Sequence, residues 1–155
     1  MTTYVRIIDN RTTVRFPASI PGEKGEAANR SGCVQLSPSY AGSPTLTAGT
    51  EKAVIRIPEE LKHYHLYDVG AGVSTHSANG DVVVMIRRVR NNSSQDMLST
   101  PITIEEGEHD SIHAQVQPVI NSTHKQVQEG DLIVFDVTSA GSGVRGLAVT
   151  FTFIP

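Results

Sequence analysis

Six histidines, sixteen carboxylates and one cysteine are the residues of this chain able to do chemistry. His63 and His65 alternate in KHYHLY, and on an extended backbone they would point the same way, as paired metal ligands do. Their spacing suggests no third ligand and no cysteine lies nearby, so ordinary surface histidines are the simpler reading and no metal is expected. The run Glu105-Glu106-Gly107-Glu108-His109-Asp110 offers hard oxygen donors around a glycine turn, which suits calcium. It lacks the ordered alternation of an EF-hand loop and reads as a solvated turn. Asp131 and Asp136 stand five residues apart, so on a strand they face opposite ways and cannot form a general acid/base pair.

Nucleophilic catalysis finds no better footing. Cys33 lies in a Pro/Gly-rich stretch, no serine sits on a nucleophile elbow, and AGSGVRG falls between two apolar runs rather than before a helix. Arg87, Arg88 and Arg90 form the densest basic cluster, but alternation divides them between faces and no aromatic residues interleave for base stacking. The chain is therefore read as a non-enzyme without catalytic residues or cofactor. Arg6, Arg11 and Arg15 are the residues expected to contact a partner, because they bring positive charge to an otherwise acidic protein.

Positioning any of these groups requires strands. Ile133, Phe135 and Val137 alternate, as do Leu147, Val149, Phe151 and Phe153, and a Gly/Ser-rich turn separates the two runs. The pattern predicts a C-terminal hairpin in which Val137 faces Leu147, Phe135 faces Val149 and Ile133 faces Phe151. Upstream, AVIRI, HLYDVGAG, DVVVMIRRV and LSTPITI read as strands, as does SIHAQVQ with Ile112, Ala114 and Val116 inward. Asn91 to Asp96 reads as a polar loop, and PEELKHY allows one or two helical turns at most. These features predict an all-β fold, an antiparallel β-sandwich over residues 51–155, with a jelly roll preferred over the immunoglobulin-like sandwich that strand count alone does not separate from it.

Residues 1–50 read as an extended N-terminal arm. YVRII and TTVRF are short strand-like pieces, and from Pro17 to Thr50 four prolines and five glycines lie among Ala, Ser and Thr with no apolar period. No paired strand is expected in that stretch. Residues 1–50 carry five Arg or Lys against three Asp or Glu, a balance of +2, and residues 51–155 carry eight against thirteen, a balance of −5. The net charge of −3 argues against general nucleic-acid binding, and no apolar run approaches a membrane span. One cysteine allows no intrachain disulfide, and no export signal is evident in MTTYVRIIDNRTTVRF.

The succession MLSTPITIEEGEHDS, QVQPVI and VQEGDLIVFDVTSAGSGVRGLAVTFTF resembles a domain of tailed-bacteriophage virion proteins, notably head-decoration (cement) proteins and head or tail fibre modules. The matching features are the LST–ITI–G segment, Gly130-Asp131, Asp136-Val137 before a glycine turn, and Gly146-Leu147 opening the last strand. The resemblance spans about residues 53–155. It implies a β-sandwich that assembles on a virion without catalysis, with the major capsid protein as partner and a homo-oligomer, a trimer for example, on the capsid surface. The alternative is a head/tail fibre or tail-associated adaptor with receptor or carbohydrate contacts.

Overall fold

The computed structural model describes residues 28–155 throughout and, before them, only the backbone of two short strands, β1 (Thr3–Arg6) and β2 (Thr13–Phe16). The remaining strands are β3 (Arg30–Gln35), β4 (Gly49–Arg56), β5 (His65–Gly72), β6 (Val82–Arg90), β7 (Ser93–Asp96), β8 (Leu98–Thr100), β9 (Ile102–Ile104), β10 (Val119–Ile120), β11 (Leu132–Ala140) and β12 (Ala148–Ile154). Single 3-10 turns at Glu59–Leu61 and Ser111–His113 are the helical elements among the described residues. The fold is all-β with antiparallel pairing throughout, as the alternation predicts.

Two sheets enclose the core. The larger runs β4-β11-β6-β7, with β9 also on β6, and the smaller runs β3-β12-β5. Alternate residues of each inner face are buried: Ile133, Phe135 and Val137 on β11, Val82, Val84 and Ile86 on β6, and Val149, Phe151 and Phe153 on β12. β6 has neighbours on both sides, in keeping with the apolar start of DVVVMIRRV.

The expected C-terminal hairpin does not form. β11 is hydrogen-bonded to β4 and β6, β12 to β3 and β5, and the two strands face each other across the core. Their alternation correctly marks the inward residues, but a covered ribbon and two stacked strands bury the same parity, so periodicity cannot choose between them. The connection between them packs tightly against other loops. Gly146 has φ +66°, and a β-carbon there would lie 2.2 Å from Ser74 Oγ and 2.8 Å from Ser39 Cβ, so glycine lets the crossing pack against two other loops.

The arm boundary expected at residue 50 is also corrected. Arg30–Gln35 pairs along its full length with β12, with Val34 opposite Val149 and Gly32 opposite Phe151. A β-carbon on Gly32 would meet the Phe151 ring at 2.5 Å, so the ring occupies the space that an inward side chain of β3 would fill. With Gly32 and Val34 as its buried residues, β3 shows no apolar alternation to read. After it, Leu36 N–H donates to Leu147 O at 2.7 Å, Leu46 N–H donates to Val144 O at 2.7 Å, and Leu147 N–H donates to Ser37 Oγ at 2.9 Å. Residues 30–50 are thus built into the body.

Two further segments depart from expectation. SIHAQVQ is not a strand: Ile112 is 72% and Val116 61% exposed, and only Ala114 of the expected inward set is buried. Side chains here bind the backbone instead, a competition that favours turns over ladders. Asp110 Oδ1 accepts from Ile112 N–H at 2.9 Å, buried Ser111 Oγ accepts from Ala71 N–H at 3.0 Å, and Gln117 Nε2 reaches Ala114 O at 2.7 Å. The stretch expected as a polar loop turns tightly at Asn91 and Asn92, with φ +50° and +61°, and returns as β7. Asparagine tolerates that backbone, the conformation of a two-residue hairpin turn.

Candidate interaction surface

The histidines read as possible ligands do not act as a pair. His63 has φ +72°, which breaks the extended run that would align it with His65, and its Nδ1 lies 3.0 Å from Gln128 Nε2. Among the described residues no group of three or more His, Cys, Asp or Glu could hold a metal ion. The fold does bring together His76 and His109, with ring centroids 5.1 Å apart and planes perpendicular. Each Nδ1 lies 3.2 Å from a backbone carbonyl, of Ser77 and Val73 respectively. Thirty-three residues apart in sequence, they give no spacing signal.

The acidic run serves the loops around it. Glu106 Oε2 accepts from Gly80 N–H at 2.8 Å, Glu105 Oε1 accepts from Gln115 N–H at 3.2 Å, and Glu106 N–H donates to Asp81 Oδ1 at 2.9 Å. Carboxylates that accept from loop amides hold those loops in place.

Asp131 and Asp136 are separate, as the spacing requires, and each has its own arginine. Asp131 takes Arg90 Nε at 2.8 Å and Nη2 at 2.6 Å, and also accepts from Gln128 N–H at 2.8 Å. Hydrogen bonding to Asp131 raises the Arg90 guanidinium further. Asp136 takes Arg87 through Nε and through Nη2 at 3.1 Å, and accepts from Glu51 N–H at 2.7 Å. Glu51 has φ +56° where β4 bulges against β11, so Asp136 holds the bulge and the arginine together. Burial works to raise the Asp136 carboxyl, but Arg87 and the Glu51 amide outweigh it and hold it below the usual carboxylate range. Arg88 is different. It is buried, donates through Nη1 to His124 O at 3.1 Å and to Gln126 O, and leaves Nε without a partner; burial lowers its guanidinium. The cluster read as three basic residues is therefore a set of structural latches on β6.

What remains is surface. A shallow groove of about 500 Å³ is lined by Ala71, Gly72, His109, Asp110, Ala148 and Thr150, among others. Ile112, Val116 and Val119 expose apolar surface from one segment beside β5. Tyr40 and Tyr67 are 66% and 64% exposed. They lie toward opposite ends of the sandwich, since the Tyr40 loop reaches Gly146 before β12 and Tyr67 lies beside the C-terminal end of β12.

Of the residues expected to contact a partner, Arg11 lies outside the described residues. Arg6 stands opposite Thr13, and Arg15 opposite Tyr4, in the antiparallel β1–β2 pair. By that register Tyr4, Arg6, Thr13 and Arg15 share one face of the hairpin, and Thr3, Val5, Val14 and Phe16 share the other. The first set of positions holds two arginines, and the second holds two valines and a phenylalanine. Among the described residues no helix is long and apolar enough to cross a membrane. No family model matches the chain, and no curated protein or solved structure does either.

Proposed function

We propose that the chain is a structural protein of a tailed-bacteriophage virion, a capsid decoration (cement) protein that binds the major capsid protein lattice and stabilises the head. The observation that carries this reading is the succession from Met97 to Phe153, with its LST–ITI–G segment and its Gly130-Asp131 and Gly146-Leu147 junctions. These residues open or bound β8, β9, β11 and β12, so the resemblance follows the strands of the sandwich.

The mechanism is additive. Each of many copies contributes a modest interface to the lattice, and copies joined in an oligomer gain avidity because their sites bind together. The hairpin face carrying Arg6 and Arg15 supplies the positive charge for that interface, while the acidic body stays on the solvent side. Exposed Ile112, Val116 and Val119 supply apolar area for contacts between neighbouring copies, such as those of a trimer. The test is co-sedimentation with capsids that lack this protein. Saturable binding that raises the temperature of capsid disruption is expected. Absence of binding to such capsids, with binding to tails or fibres instead, overturns the assignment.

The second reading, a fibre or tail-associated adaptor with receptor or carbohydrate contacts, draws on Tyr40 and Tyr67, since exposed aromatic rings are what sugars stack on. Their separation offers two single rings rather than a platform, which favours the decoration reading.

A further inference from the structure

The two flanks of the sandwich are unequal. Phe135 meets Phe151, which sets β12 over β11, and β5 lies beside β9 on the β6 side. β3 and β4 therefore share the opposite flank. The β5 edge is closed: Leu66 N–H donates to Lys125 O at 2.9 Å, His65 bridges Gln126, Gly72 bridges Asp110, and Ser111 Oγ accepts from Ala71 N–H. Among the described residues β3 has β12 as its single ladder partner, and the other edge of β3 carries no ladder. An open edge presents unpaired N–H and C=O groups, and natural proteins pair, cover or charge such edges.

A second need complements the first. β1 and β2 form a two-stranded ribbon, which is marginal alone in water, and its Val5, Val14 and Phe16 share a face that has to be covered. β2 runs close to β3, although the two are not joined as ladder neighbours.

We propose that this edge of β3 is a strand-acceptor site whose occupant is β2 of the same chain, giving the order β1-β2-β3-β12-β5. Positions 5, 14 and 16 then continue the inner side that carries Gly32 and Val34. Positions 6 and 15 continue the outer side, where Ser31 and Cys33 lie; Ser31 Oγ and Thr152 Oγ1 meet there at 2.9 Å. This arrangement places positions 6 and 15 in a fixed sheet rather than in a separate ribbon, and strand addition supplies the affinity through main-chain hydrogen bonds. The proposal concerns the free protein and does not depend on what Arg6 and Arg15 bind.

Cys33 makes the arrangement testable, because it is the chain's single cysteine. Thr13→Cys, Val14→Cys, Arg15→Cys and Phe16→Cys are each oxidised in dilute full-length protein and analysed without reductant. Each is paired with the same variant in a Cys33→Ser background. Neighbouring strands bring same-face β-carbons within disulfide reach, and opposite-face ones not. Intrachain disulfide is expected at Thr13 or Arg15 or both, at least tenfold above Val14 and Phe16, and unchanged on dilution. A bridge favouring Val14 or Phe16, equal bridging at all four, or none above the Cys33→Ser background overturns the proposal. Disulfide-linked dimers from Thr13→Cys or Arg15→Cys overturn it too, since the occupant is then a second copy.

Discussion

Phe135 and Phe151 meet ring to ring from opposite sheets, with centroids 5.9 Å apart and planes inclined at 40°, and the Phe151 ring also lies over the backbone of Gly32. Three strands thus converge on one aromatic contact: β11 from the larger sheet, and β12 and β3 from the smaller. Its disruption is felt in both layers.

Phe135→Ala and Phe151→Ala are each expected to cost about 3 to 5 kcal/mol by urea denaturation, the usual range for emptying a buried aromatic site. Gly32→Ala drives a methyl into the Phe151 ring and is expected to cost about 1 to 3 kcal/mol by overpacking. In a Phe151→Ala background the same methyl enters vacated space, so the cost of Gly32→Ala should fall markedly. Additive losses would mean that the ring and Gly32 do not share that space.

Truncation separates the two boundaries. A chain starting at residue 28 retains β3 and the Leu36 and Leu46 anchors, and should unfold in one cooperative transition. A chain starting at residue 51 lacks β3 and the start of β4, which uncovers one edge of β12. It should melt far lower or fail to fold. Equal stability of the two would show that β3 adds nothing to the sandwich.

Asp136 contributes pH-dependent stability. Its folded pKa is depressed, so the contribution is fully present above the unfolded carboxyl value of about 4 and is lost as pH falls through the folded value. Melting temperature should therefore fall on acidification below about pH 4 to 5, and Asp136→Asn should flatten part of that slope. At neutral pH, Asp136→Ala is expected to cost about 3 kcal/mol, because it leaves Arg87 and the Glu51 amide without their acceptor. A slope identical in the wild type and the Asn variant would remove Asp136 from the acid transition.

Charge reversal at Arg6, Arg11 and Arg15 to Glu should weaken capsid co-sedimentation, and more at low salt than at high. Screening shortens to about 8 Å at physiological ionic strength and removes the contribution of surface charges. Reversal at Arg87 or Arg90 is unsuitable as a control, since both are latched to buried carboxylates and their loss acts on stability. Loss of binding that is independent of salt would point to a damaged fold rather than to electrostatic docking.

The fold class and the parity of most strands are legible in the alternation of apolar residues. Inward Ile133, Phe135, Val137, Leu147, Val149, Phe151 and Phe153 follow from alternation, because a side chain's face on a strand depends only on its position along the chain. The sequence also separates Asp131 from Asp136, for the same reason. Which strands are neighbours was decided by tertiary structure. β11 and β12 bury the same residues whether paired in one sheet or stacked in two, and β3 has Phe151 in the place of an inward side chain, so neither arrangement leaves a periodic trace. Ile112 and Val116 alternate like strand residues yet lie exposed, because Asp110, Ser111 and Gln117 bind the local backbone in a turn. The His76–His109 contact and the latching of Arg87 and Arg90 depend on residues more than thirty positions apart. Local sequence carries the direction of each side chain; its partner is chosen when the sheets close on each other.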